Sequence, residues 1–524
     1  MTTNKFHQGL RLSRRILLVA SAVVSLNLLA PFSMAASSEQ VLQSRSYLDI
    51  TSLDPSNYLN AVDEDVMGAI YSKLIYFKPG NKWEWELQAA ESMEQVDATH
   101  IKFKLKEGIK FSNGFGEMTA EDVKFSYERA AFGENPAAAA DWGGALKEVQ
   151  ITDKYSGVIV LNKPYQPLWN LALSYASGNI ISKKAFESVG SFTNNPPTSS
   201  GPYRVKEWRP KQKVILERNP EYYGEPSAYK EIHINQIDDE KTAEIAFEAG
   251  NLDVTRISMS SVESYRKSPP SDSKLQVYPS LFYVWLGMNF DNPKLQDPRV
   301  RQAIQYAIDV PSILQASYFG EAQASTGIIA PGLLGHREKS LIAPEADIAK
   351  AKALMAEAGV TNLELSLDVL NKTTNLTTAQ VIQALLSQIG IKVNINQHEA
   401  GSFWTLGSEK AGDRWKNIEL ILNRYSMVPD PYYATVNFIS SQKGKWNWER
   451  FANAEFDQLN TQAQAELDIQ KRGAMYQRMQ DLMEESGAYR FITHEAEPLA
   501  VRNSVSPGLR PDGRPLYRHF KPAK

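Results

Sequence analysis

Near the carboxyl end, His494-Glu495-Ala496-Glu497 brings together groups that could bind a metal ion or pass a proton. An imidazole beside carboxylates is the material of a general acid–base pair or of a metal site. Strand geometry argues against both. Side chains alternate across a strand, so His494 and Ala496 share one face while Glu495 and Glu497 share the other. The imidazole and its neighbouring carboxylate then diverge. The sequence contains no Walker loop and no GxGxxG, HExxH or GxSxG pattern. That removes the phosphate-cradling, dinucleotide, zinc-protease and nucleophile-elbow chemistries those spacings serve. With no cysteine and seven histidines, a buried soft-metal site is disfavoured. The expectation is a chain with no catalytic residue, no metal and no cofactor.

Composition narrows the partners. The 524 residues are 43% hydrophobic, outside the disordered and fibrous classes, and long enough for two to four compact units. Residues 1–15 carry Lys5, Arg11, Arg14 and Arg15 and no acid. An apolar run from Ile16 to Ala30 follows, then Pro31 and the small-residue step Ser33-Met34-Ala35. This is the layout of a cleaved secretory signal peptide over residues 1–35. The competing reading, a membrane anchor, needs about 20 apolar residues, more than this run supplies. Ser13-Arg14-Arg15-Ile16-Leu17-Leu18 also resembles a twin-arginine signal, so that route stays open beside the general secretory one. Removing the four cations of residues 1–35 takes the net charge from −3 to −7. A mildly acidic chain is a poor binder of nucleic acid or anionic lipid. Without cysteine there is no disulfide and no lipid attachment at a cleavage site, so the expected location is a periplasm, as a freely diffusing protein rather than a lipoprotein.

The elements that would position any site can be read from periodicity. Thr119-Ala120-Glu121-Asp122 has the form of a capping box, and Val123, Tyr127 and Ala130 continue it as a helical stripe. Asp297-Pro298 reads as an N-cap followed by proline at the first helical position, with Val300, Ala303, Ile304, Ala307 and Ile308 on one buried face. Lys102–Leu105 and Val214–Arg218 alternate as half-buried strands. Between 345 and 425 helices and strands take turns. A stripe through Ile348, Ala351, Met355 and Ala358 ends at Gly359, and Leu363, Leu365, Leu367 and Val369 form a strand. A helix through Ile382, Leu385, Leu386 and Ile389 ends at Gly390, and strands follow at Ile391–Ile395 and Ile418–Leu422. Such alternation predicts an α/β unit with a mostly parallel sheet, whose ligands sit beyond the carboxyl ends of the strands. That nominates the loops 371–375 and 423–431. Proline-rich breaks at 194–197 and 268–271 bracket a segment with its own strand patterns, expected in a different lobe from its flanks.

Several segments, in order and spread over nearly the whole chain after residue 35, resemble those of the family 5 extracellular solute-binding proteins. Thr119-Ala120-Glu121-Asp122-Val123-Lys124-Phe125-Ser126 resembles the family's TAxDVxFS helix start. Gly201-Pro202-Tyr203-Arg204-Val205-Lys206-Glu207-Trp208 resembles its GPYxVxxW segment, continued by Glu217–Gly224. Asp297–Ile304 with Ala307-Ile308-Asp309 resembles its DxRVRQAI…AID helix. The resemblance implies a two-lobed, hinged periplasmic-binding-protein fold with an extra subdomain in the first lobe. It places lobe I at 36–66, 187–284 and 489–524, the extra subdomain at 67–186 and lobe II at 285–488. It implies a monomer that encloses a small-molecule or peptide ligand between the lobes. The loaded protein would deliver that ligand to the transmembrane subunits of an ABC permease and their ATPases.

A cleft for varied solutes wants aromatic walls and a few polar anchors. The candidates are Phe403-Trp404; Arg424-Tyr425-Ser426 with Asp430; and Trp446 and Trp448, which one side of a strand could present together. Tyr283 and Trp285 precede the expected crossing between lobes at Asn289, and Tyr47 and Asp49 lie in a segment that borders the cleft in this family. The competing reading is core packing for each aromatic and a surface ion pair for Arg424, whose planar fork otherwise suits a carboxylate. One departure stands out. Peptide binders of the family hold the ligand's amine with an aspartate four residues before the proline of an acidic-Pro motif. Here that motif is Asp430-Pro431 and the residue four before Pro431 is Met427. The expected function is capture of a peptide or peptide-like solute. Opine-like conjugates, modified amino acids, polyamines and metal chelates are the alternatives, and a periplasmic hydrolase or a chaperone-like protein the readings from other classes.

Overall fold

The computed structural model describes residues 41–524. The signal-peptide segment 1–35 therefore lies outside the described residues. The chain opens with strand β1 (Val41–Ser46) and helix α1 (Ala61–Ile70), the latter capped by Asn60, whose side chain accepts from the Val62 and Asp63 N–H groups. Helix α2 (Ala120–Phe132) follows the capping-box reading: the Asp122 carboxylate takes the Thr119 N–H at 2.9 Å, and Val123, Tyr127 and Ala130 are buried. It packs on a four-stranded antiparallel sheet whose strands run in the spatial order 90–95, 100–105, 156–161 and 146–151.

The segment after residue 198 returns to β1. Strand β2 (Glu231–Gln236) pairs parallel with β1 from Val41–Glu231 to Ser46–Gln236, and 213–218 and 203–209 extend the sheet. The segment bracketed by the two proline-rich breaks therefore shares a sheet with the first described strand instead of standing apart from what precedes it. In 213–218, Val214, Ile215 and Leu216 are all buried rather than alternating, because both faces of this inner strand are covered.

Strand β3 (Val254–Arg256) leads to the 16-residue strand β4 (Ser273–Met288). Beyond it, α3 (Pro298–Ala307) starts on Asp297, which accepts the Arg299 N–H at 2.8 Å, and buries Val300, Ala303, Ile304 and Ala307. Strand β5 (Leu363–Leu370), helix α4 (Thr373–Ser387), strand β6 (Ile391–His398) and strand β7 (Leu420–Ser426) form the expected alternation. β5 pairs parallel with both β6 and β7, while β7 pairs antiparallel with β4. The sheet is therefore mixed, with its parallel part confined to β5–β7. α4 begins earlier than its apolar stripe suggests, so residues 373–375 are its first turn and not a loop. Likewise 423–426 belong to β7. The helix 348–358 ends at Gly359 with φ +67°, a conformation glycine adopts without strain.

The 14-residue strand β8 (Tyr489–Arg502) pairs along nearly the whole of β4, and β3 closes its outer edge. These two long strands carry the chain between the sheet of β5–β7 and the β1–β2 lobe. Among the described residues no helix is long and apolar enough to cross a membrane.

Leu367 lies fully buried where β5 meets β6 and β7. Leu367→Ala should cost about 2–5 kcal/mol of stability in denaturant unfolding. A loss under about 0.5 kcal/mol would contradict this packing of the sheet centre.

Candidate functional site

β4 and β8 pair regularly except near their middle, where the register slips between Pro279 and Tyr283 and again between Val284 and Trp285. Proline has no N–H to give to the ladder. Ser280 Oγ accepts the Phe282 N–H at 3.0 Å, and the Leu281 carbonyl accepts the Met427 N–H at 2.8 Å from the end of β7. Over this slip lies a cavity of about 670 Å³. Its walls come from both sides of the crossing. Ser44–Leu48, Val254–Arg256 and the 509–517 segment face Arg424, Ser426–Pro429, Tyr433 and Lys372, and Ser280–Phe282, Glu497 and Leu499 line it from the crossing strands. Aromatic surface is supplied by Tyr47, Tyr58, Tyr175, Phe282, Tyr433 and Tyr517.

The cavity's charged groups are mostly paired with one another. Arg514 grips Asp65 at 2.5 and 3.2 Å and donates to the Tyr47 hydroxyl at 2.6 Å. Arg424 holds Glu495 through two parallel bonds of 2.7 and 2.6 Å while lying over the Phe282 ring, 3.6 Å from its centre. Arg256 meets Glu497 at 2.8 Å, and Arg510 meets Asp512 at 2.9 Å. Burial lifts the Asp65 carboxyl to about 6 against the attraction of Arg514. Burial also lifts Glu497 to about 7, with Glu495 adding repulsion and Arg256, Arg424 and Arg514 opposing it. On the reverse face of β8, His494 is buried with its imidazole held down at about 4 by desolvation, and its Nδ1 lies 3.2 Å from Ser325 Oγ. The alternation read from the sequence is thus the one observed, and the imidazole is turned away from both carboxylates.

The candidate residues divide. Tyr47, Arg424 and Ser426 line the cavity. Tyr425, between the last two, points to the opposite face of β7, where it is buried with Tyr283, Trp285 and Phe438 and donates to the Trp446 carbonyl at 2.8 Å. Tyr283 and Trp285 are fully buried and stacked, with ring centres 5.2 Å apart. Phe403 and Trp448 pack in a small separate core, while Trp404 and Trp446 are 38% and 48% exposed and do not line the cavity. No strand runs through 440–453, so Trp446 and Trp448 do not share a strand face; Asn447, bonded to the Phe438 and Phe451 carbonyls, holds a turn there. The Asp49 carboxylate accepts the Lys211 N–H at 3.0 Å, away from the cavity. Asp430 is fully buried, caps the short helix 431–435 and pairs with Arg472 at 2.8 and 3.0 Å. Met427, by contrast, is on the cavity wall.

Sequence reasoning passed over Arg45, Asp65, Arg256, Phe282, Arg510 and Arg514, and weighed Glu497 only as part of an acid–base or metal cluster. For Glu497 the signal was present: the alternation that separates it from His494 also sets it beside Glu495. The Arg510–Arg514 turn has the Pro511 and Gly513 of a loop but nothing that ties it to distant strands.

Two outcomes test this placement. Asp430→Asn strands the Arg472 charge in the interior and should cost about 3–5 kcal/mol; a change under about 0.5 kcal/mol would show Asp430 free of that pair. Glu497 holds a proton in the fold between its ordinary 4.5 and about 7 while the unfolded carboxyl has lost it. Its contribution to stability therefore falls as pH rises through that window. Glu497→Gln should remove up to roughly 3 kcal/mol of that decline, read from urea unfolding at several pH values. An unaltered slope would place the carboxyl in water.

The chain resembles known proteins over most of its length. Residues 84–446 match the model of bacterial extracellular solute-binding proteins, family 5. A relative from Escherichia coli K12, a probable D,D-dipeptide-binding periplasmic protein, is 26% identical over 495 residues, covering 91% of this chain and 92% of that one. The structure of HbpA2 from Haemophilus parasuis superposes with a TM-score of 0.80 at 23% identity, covering 92% of this chain and 99% of that one. The binding protein MoaA from A. tumefacien R10, in complex with mannopinic acid, superposes with a TM-score of 0.70 at 25% identity, covering 93% of this chain and all of that one. The fold is the mixed α/β, two-lobed periplasmic-binding architecture of these neighbours. With its family model matched over the larger part of its length, the chain belongs to the bacterial extracellular solute-binding proteins, family 5.

Proposed function

We propose that this protein captures a peptide or peptide-like solute between its two lobes, in the periplasm, and passes it to an ABC permease driven by ATPases, carrying out no reaction itself. The observation that carries this is the cavity of about 670 Å³ at the crossing of the two long strands, walled from both sides. Its volume is that of a small-molecule site, and its aromatic walls with charged groups among them suit a solute of several functional groups. A ligand touching both walls favours the closed arrangement by its differential affinity. In this reading Tyr47, Arg424 and Ser426 contact the solute, residues 1–35 direct export and are removed, and the protein acts as a monomer. The reading draws support from the relative named for D,D-dipeptides.

A second reading, a non-peptide solute such as an opine-like conjugate, is favoured by one observation: Met427 on the cavity wall offers no charge to an α-amine. The neighbour holding mannopinic acid fits that reading.

A thermal-unfolding screen of ligand-stripped protein against peptides, amino acids, opines, polyamines and sugars separates the two. A ligand at a hundredfold excess over its Kd should add about 2.7 kcal/mol to stability. Stabilisation by free peptides supports the first reading and stabilisation by opines alone the second. Conversion of any solute during the assay would overturn a pure binding role.

A further inference from the structure

Arg45 differs from the other arginines of the cavity. It is 9% exposed and sits on the cavity wall at the end of β1. Its side chain donates only to main-chain carbonyls, those of Ile237 at 2.7 Å, Arg256 at 3.0 Å and Asp238 at 3.0 Å. Among the described residues no carboxylate reaches ion-pairing distance of it. A guanidinium carries five N–H donors, so two remain after these three bonds. Arg256, Arg424, Arg510 and Arg514 each hold a carboxylate of the protein already. A buried cation whose bonds all go to carbonyls is only partly compensated, here by the more distant Glu240, Asp239 and Asp238 carboxylates, and it gains from an anion in direct contact.

The opposite wall has the same bias. Lys372, exposed at the start of α4, lines the cavity and has no carboxylate partner among the described residues. The stretch that follows Ser426 presents Met427, Val428 and Pro429. An incoming ammonium would find Asp65, Glu240, Glu497 and Asp512 each beside a guanidinium, and only Asp238, which is exposed and accepts from the Gln236 amide at 3.1 Å, without one. An incoming carboxylate finds a guanidinium and an ammonium with no carboxylate of their own. A planar carboxylate also suits the remaining N–H groups of Arg45, whose direction is set by the three carbonyl bonds.

We propose that the cavity selects its solute by a carboxylate received at Arg45, with Lys372 adding attraction from the facing lobe, and that a free α-ammonium is dispensable. This rests on the reading of the cavity as the solute site. It names the ligand class as an anionic, carboxylate-bearing solute, which covers N-blocked peptides and amino-acid conjugates as well as ordinary peptides.

The test is calorimetric titration of the ligand-stripped protein with matched probes. These are trialanine, its N-acetyl form and its C-terminal amide; mannopinic acid; and spermidine as a cation without a carboxylate. N-acetylation should change affinity less than threefold, and amidation should weaken binding at least tenfold. Arg45→Gln should weaken the carboxylate probes at least tenfold and leave the amide unchanged. Because Arg45 also fastens three carbonyls, its unfolding curve without ligand is recorded. Lys372→Gln, at an exposed position, provides a second variant, with an expected three- to tenfold loss for the same probes. Binding that survives amidation but not acetylation overturns the proposal, as does binding of spermidine alone; either leaves the solute-binding reading intact. Silence from every probe, with the protein folded, overturns both.

Discussion

The site depends on two long strands having to pair with each other across the whole molecule. β4 and β8 run antiparallel from Ser273–Arg502 to Gly287–Tyr489, and an uninterrupted ladder of that length would leave no gap between the two strands. Pro279 brings no N–H, the register slips before Tyr283, and the chain turns Ser280, Leu281 and Phe282 toward open space. The cavity lies over this irregularity, walled by elements from both sides of the crossing.

Behind the slip the strands are held by an aromatic core. Tyr283 and Trp285 on β4 face Tyr425 on β7, and Phe438, Phe451 and Tyr489 close around them. Trp285 donates its indole N–H to Glu449 at 2.8 Å, and burial lifts that carboxyl to about 7. A Cβ at Gly287 would collide with the buried Glu449 side chain, so a larger residue there requires Glu449 to move. These residues fix the floor on which the cavity stands without touching a solute. That is why aromatic content was a poor guide to ligand contact: large rings pack wherever area must be buried, and a cleft is only one such place.

Charge follows a different rule. Removing a guanidinium or a carboxylate from water is unfavourable unless a partner is at hand, so most of the cavity's ionic groups come as pairs, Arg45 and Lys372 being the cations that do not. The pairs join remote parts of the chain. Arg514 and Asp65 are 449 residues apart, and Arg424 and Glu495 are 71 apart. These two pairs, and Arg256 with Glu497, pin wall elements to distant parts of the chain, whereas Arg510 and Asp512 close their own turn.

The sequence by itself determined the local elements and the absence of a recognisable catalytic constellation. The helices at 120–132, 298–307 and 348–358, and the strands at 363–370 and 391–398, were legible because caps, glycine stops and apolar periods are written within a dozen neighbouring residues. It also carried the family's segments in order, and through them the two-lobed fold. Only the tertiary structure decided which side chains meet in the cavity. Arg424 faces it and Tyr425 does not, Asp430 is spent on Arg472, and Arg45 is left with carbonyls alone. Facing depends on strand register, where a shift of one residue sends every side chain to the other face, and register here is set by partners hundreds of residues away and by a slip at one proline.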